Sequence, residues 1–148
     1  MSHKYLNDLG IKSSDICIFN TEETKDKRMK RFLKQRKKYG FDERETWSMD
    51  YTMGTWLYSH FKAYKKYANK IINLTFHKFD IPKWDKKETF SQETKQVTEE
   101  EAINIIIKNL KFYLKNYDCI DFKKEEKANM KFQYALRIIG IIHPTLWW

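Results

Sequence analysis

The chain has 148 residues, 33% of them charged and 41% apolar, and its 29 Lys and Arg against 20 Asp and Glu give a net charge of +9. This length suits one domain with a hydrophobic core, and the composition is that of a globular rather than a disordered chain; the positive balance excludes acidic mimicry of DNA and favours anionic partners. With two cysteines and four scattered glycines, a multi-disulfide framework and a glycine-rich phosphate loop are excluded, and with the loop go the NTPase and Rossmann readings.

The expected fold is mainly α: a compact helical bundle of about four helices in a single domain, 1–148, with a short N-terminal strand or arm and an irregular loop or hairpin near 73–97. In residues 1–20 the run Ile16-Cys17-Ile18-Phe19, between Ser13-Ser14-Asp15 and Asn20, reads as an edge strand or extended arm. Thr21 is placed to cap a helix, Glu22 and Glu23 suit its positive end, and Gly40 stops it. That helix is basic, with Lys25, Lys27, Arg28, Lys30, Arg31, Lys34, Arg36, Lys37 and Lys38. Its apolar stripe, Met29, Phe32 and Leu33, is narrow, so the helix reads as a surface element whose basic face meets water or a ligand.

A second helix is predicted from Ser48, with Met49, Met53, Trp56, Leu57, His60, Phe61, Tyr64 and Ala68 recurring at helical spacing as its buried stripe. Residues 73–97, with Pro82, read as a loop or short hairpin. Thr98 and Glu101 form a capping box for a third helix with the apolar face Ile103, Ile106, Ile107, Leu110, Tyr113 and Leu114. A last helix follows Asp121, burying Ala128, Phe132, Ala135, Leu136, Ile139 and Ile142, and His143-Pro144 ends it. The terminal Leu146, Trp147 and Trp148 fold back on the core or form a homo-oligomer interface.

Only five of the 29 basic residues are arginine, so each one counts, because a guanidinium grips phosphate through paired donors. Arg36 and Arg44 flank the Gly40 turn and read either as phosphate ligands, with Lys37 and Lys62, or as ion-pair partners of Glu43 or Glu45. Trp47 reads as a hydrophobic staple on Tyr51 or the next turn, or, like Tyr51, as a base-stacking platform. Asp50 compensates the helix dipole, pairs with Arg44 or Arg36, or accepts from a ribose hydroxyl. His60 reads as a core histidine, and neither it nor His77 and His143 has zinc-ligand spacing, so no metal or cofactor is expected. Scattered acids such as Asp42, Glu45 and Asp50 could gather around magnesium but form no motif, which leaves a metal-dependent phosphodiesterase the lesser reading.

The segment Tyr39-Gly40-Phe41-Asp42, followed by Glu45-Thr46-Trp47-Ser48-Met49-Asp50-Tyr51-Thr52, resembles a family of small phage and prophage accessory proteins. In that family a Gly-Phe-Asp segment leads to a Trp-x-Leu-Asp-x-Thr helix start, and the terminal Leu-Trp-Trp is similar. The likeness spans residues 36–66, with Ser59-His60 replacing the family's Pro-Arg pair. No chemistry is assigned to the family; the resemblance implies an anti-defence role in the host bacterial cytoplasm. On this reading the protein sequesters a small anionic nucleotide-type immune signal without catalysis, through Arg36, Lys37, Arg44, Trp47, Asp50, Tyr51 and Lys62. The alternative is an inhibitor docked on a host defence or nucleoprotein complex, with nucleic acid as a non-specific partner. The N-terminal ten residues lack a secretion signal and no stretch approaches the roughly 20 apolar residues that cross a bilayer, so no membrane partner is expected.

Overall fold

Helix propensity and apolar spacing prevail over most of the chain. A computed structural model describes residues 4–11, 27–85 and 91–146, and the protein is mainly α. The predicted strand or arm at 16–19, the Thr21 cap with Glu22 and Glu23, Cys17, and the terminal Trp147 and Trp148 lie outside the described residues. The chain divides into two compact units, residues 1–56 and 57–148.

The first unit holds α1 (Lys4–Asn7), α2 (Met29–Tyr39), a 3-10 turn (Glu43–Thr46) and the start of α3 (Met49–Ala68). Met29 and Phe32 are buried on α2 while Leu33 is half-buried, so the narrow stripe is narrower still. Gly40 ends α2 in the left-handed region (φ 83°), and its N–H donates to the Arg36 carbonyl at 2.9 Å. That conformation suits a residue without Cβ.

α3 starts one residue after Ser48, whose carbonyl accepts from Thr52 N–H at 2.9 Å. Its buried arc differs from the predicted one. Of the predicted stripe, Phe61 and Ala68 are buried and Leu57 and Tyr64 half-buried, but Met49, Met53, Trp56 and His60 are exposed, and Thr55, Tyr58 and Ser59, which lie outside it, are buried. The Thr55 hydroxyl donates to the Thr52 carbonyl at 2.9 Å, so its polar atom is satisfied within the helix and burial costs little. Thr55 and Ser59, which hydropathy leaves out, thus share the buried arc with Tyr58 and Phe61.

In the second unit the 73–97 region forms a hairpin, β1 (Lys78–Pro82) antiparallel to β2 (Thr94–Thr98), with Phe79 opposite Val97 and Ile81 opposite Lys95. Thr98 ends the strand and caps α4 (Glu99–Asn116). All four amides that a helix start leaves without an intrahelical acceptor find one here. Thr98 N–H donates to Glu101 Oε2 at 2.8 Å and Glu101 N–H to Thr98 Oγ1 at 3.2 Å, the predicted capping box. Glu99 N–H reaches the His77 carbonyl at 3.1 Å and Glu100 N–H the Leu74 carbonyl at 3.0 Å.

α5 (Phe122–Ile142) begins at Asp121, whose side chain accepts from Lys123 and Lys124 N–H, and gives way to a 3-10 turn at His143–Thr145. α4 and α5 pack on each other and on β1. Tyr113 and Phe132 stack between them with centroids 4.4 Å apart and planes 11° from parallel. The Tyr134 hydroxyl is buried and donates to the Pro82 carbonyl at 2.6 Å, which ties α5 to the hairpin. Buried positions on α5 include Tyr134 and Ile138, while Leu136 and Ile139, expected in the core, are half-buried. The core face is rotated toward the hairpin, which claims the Tyr134 side of the helix. On α4, Ile107 is half-buried and Asn109 buried, its amide donating to the Ile105 carbonyl at 2.8 Å.

Candidate functional site

The residues singled out around Gly40 converge on Asp42. The segment Asp42-Glu43-Arg44-Glu45 is a capping box: Asp42 Oδ1 accepts from Arg44 N–H at 3.0 Å, and Asp42 N–H faces Glu45 Oε1 at 3.4 Å. Asp42 is fully buried, at 0% exposure. A buried carboxylate must be paired, and here two arginines pair it. Arg44 grips it as a fork, Nε on Oδ1 and Nη2 on Oδ2, both at 2.8 Å. Arg36 Nε reaches Oδ2 at 2.5 Å, while its Nη2 holds Glu45 Oε1 at 2.8 Å. Burial alone would push the Asp42 carboxyl up; the hydrogen bonds from Arg44 and Arg36 outweigh it, and the net shift is below the usual carboxylate range.

Phe32 lies under this network. The Arg44 guanidinium carbon stands 4.5 Å from its ring centroid and that of Arg31 5.5 Å, and the Trp47 ring meets it edge-on at 6.2 Å. Arg31 also pairs with Glu43, and Gln35 bridges α2 to the turn, donating to Glu43 Oε2 at 3.1 Å and accepting from Glu43 N–H at 3.0 Å. Arg36 and Arg44 therefore act within the protein as ion-pair partners, chiefly of Asp42, which the sequence reading had only in a cluster of acids.

The surface of this unit is aromatic and basic. Tyr39, Phe41 and Trp47 are 59%, 49% and 59% exposed. The Tyr39 and Phe41 rings stand 6.3 Å apart on either side of Gly40, and Lys38 Nζ lies 4.9 Å from the Tyr39 centroid. Lys30, Lys34, Lys37 and Lys38 are exposed along α2, Asp50 is exposed in the first turn of α3, and Tyr51 is half-buried. Lys62, half-buried on α3, and Leu146 belong to the second unit. Of the predicted ligand residues, six share the first unit, and Arg36 and Arg44 meet directly. Sequence reasoning missed Asp42 as the anchor, although the Asp-x-x-Glu spacing carried the signal, and it missed Tyr39 and Phe41, which flank the helix-ending glycine.

Among the described residues no three His, Cys, Asp or Glu side chains are placed to hold a metal ion, and no helix is long and apolar enough to cross a membrane. No protein family, curated protein or solved structure matches the chain.

Proposed function

We propose that the protein is a binding module that captures a nucleotide-type anion on its first unit, in the setting of an anti-defence phage accessory protein. The observation that carries this is the exposed Tyr39 and Phe41 pair beside the lysines of α2. Rings that stack on bases, next to ammonium groups that meet phosphate, are the two components of base-tolerant nucleic-acid binding. The phosphate contacts fall to Lys34, Lys37 and Lys38, because Arg36 and Arg44 hold Asp42. Trp47 offers a further stacking face, and Asp50 a carboxylate for a ribose hydroxyl.

The test is a fluorescence titration with a mononucleotide, a cyclic dinucleotide and a short single-stranded oligonucleotide at two salt concentrations. Capture of a small ligand predicts saturation by the mono- or dinucleotide, with Tyr39→Ala, Phe41→Ala and Lys37→Glu weakening it and the fold unchanged. Binding only of the oligonucleotide, with log affinity falling about 0.7 per phosphate contact against log salt, makes it a single-strand binder instead. Absence of any saturable binding refutes both.

A second reading has its own support. Met49, Met53 and Trp56 are exposed at 66%, 40% and 47%, and their i, i+4, i+7 spacing is that of anchors by which a helix enters an apolar groove on another protein. Docking on a host defence protein then requires this stripe, and Trp56→Ala separates it from nucleotide capture, which is indifferent to that ring.

A further inference from the structure

The second unit holds a cavity of about 260 Å³ lined by Ile72, Asn73, Phe76, His77, Glu99 and Thr145. Its walls are mainly apolar, and its one acid is Glu99, which is 1% exposed. The direct partners of that carboxyl are neutral: the Tyr64 hydroxyl, which donates to Oε1 at 3.3 Å, and the hydroxyl of Thr145, whose proton goes to the Ile142 carbonyl at 2.8 Å. His77, on the cavity wall, also favours the carboxylate form. Burial nevertheless outweighs all three and pushes the Glu99 carboxyl above its ordinary range. Tyr64 is pushed up to about 12, by burial and then by the adjacent carboxyl, so it stays a hydroxyl donor. Lys65 on α3 is engaged with Asn104 Oδ1 at 2.6 Å and Glu100 Oε1 at 3.8 Å. With Glu99, Glu100 and Glu101 in its first turn, α4 brings three carboxylates to this end.

A carboxylate taken out of water and met by hydroxyls is under-compensated, and a cation is what compensates it. Phe76 adds an aromatic wall that is 76% exposed, suited to the apolar body or the charge of such a ligand. The volume lies just below the ~300–1,000 Å³ of drug-sized sites, so the occupant is small. We propose that this cavity binds a small organic cation, an amine or guanidine with a single positive charge, with Glu99 as its counter-ion and Phe76 as its aromatic wall. The site shares no residue with the nucleotide surface and stands or falls without it.

The experiment titrates benzylammonium, and as a neutral control of the same shape benzyl alcohol, into the full chain, followed by the NMR signals of His77. The expected result is saturable binding of benzylammonium with Kd of about 1 mM or tighter, no saturation by benzyl alcohol, and at least a tenfold loss in Glu99→Gln. Phe76→Ala removes an exposed ring, leaves the fold, and weakens binding severalfold. Equal binding of the two probes overturns the proposal, as does undiminished binding by Glu99→Gln or the absence of saturation in the wild type. Should Glu99→Gln fail the circular-dichroism check for folding, the two-probe comparison and Phe76→Ala decide.

Discussion

Asp42→Asn separates charge from shape at the centre of the first unit. Asparagine keeps a carbonyl oxygen for the Arg44 N–H, so the cap survives, but it turns an amide N–H₂ toward guanidinium donors. Hydrogen bonds to charged groups contribute about 1.5–3 kcal/mol each, and removing one partner of a buried pair costs about 3–5 kcal/mol because a charge is stranded. The stranding is partial here: Arg36 keeps Glu45 at 2.8 Å, and Arg44 keeps the Phe32 face at 4.5 Å. The expected loss is therefore at the low end, about 3 kcal/mol, or a Tm lower by roughly 6–12 °C at 2–4 °C per kcal/mol. Urea unfolding followed by circular dichroism measures it. The pH dependence gives an independent check. Because the folded-state pKa of Asp42 lies below the unfolded value near 3.8, its stabilisation is complete above that value and is lost as pH falls through the lower folded one. Wild type should carry this acid limb and Asp42→Asn should lack it. A loss under about 1 kcal/mol, well short of the broken-pair range, together with an unchanged acid limb would refute the argument.

Gly40→Ala should destabilise by about 1–2 kcal/mol, the cost of left-handed backbone for a residue with Cβ, since an added Cβ meets nothing within 4 Å and only the φ of 83° opposes it; chemical denaturation reads this. Phe132→Ala should cost about 3–5 kcal/mol, because it removes the ring stacked on Tyr113 and leaves a cavity between α4 and α5; thermal unfolding of the variant tests it. Tyr134→Phe should cost about 1–3 kcal/mol by orphaning the Pro82 carbonyl, with hydrogen exchange accelerated in the hairpin and unaltered near Gly40.

The helices of the second unit were legible because their signals are local. Thr98 and Glu101, Asp121, and the His143-Pro144 stop each depend on neighbours a few residues away, and each is found where the spacing predicted. Which face of a helix is buried depends on partners distant in sequence. Tyr134 is buried for a carbonyl 52 positions earlier, and Thr55 and Ser59 are buried although hydropathy favours Met53 and Trp56. The arginines show the same divide. Their importance could be read from composition, but their commitment to Asp42 depends on a turn that folds both guanidinium groups over one carboxylate. Glu99 was hidden for a related reason: as the first of three glutamates in a helix start it reads as dipole compensation.

Helices commonly fray from both ends, and the first amides exchange with solvent early. In α4 those amides are closed by Leu74, His77, Thr98 and Glu101, so the start of the helix opens only if the preceding segment and the end of β2 let go as well. Melting of this helix should therefore run in one direction, from Asn116 backward, and its first turn should be among the last amides in the chain to exchange deuterium.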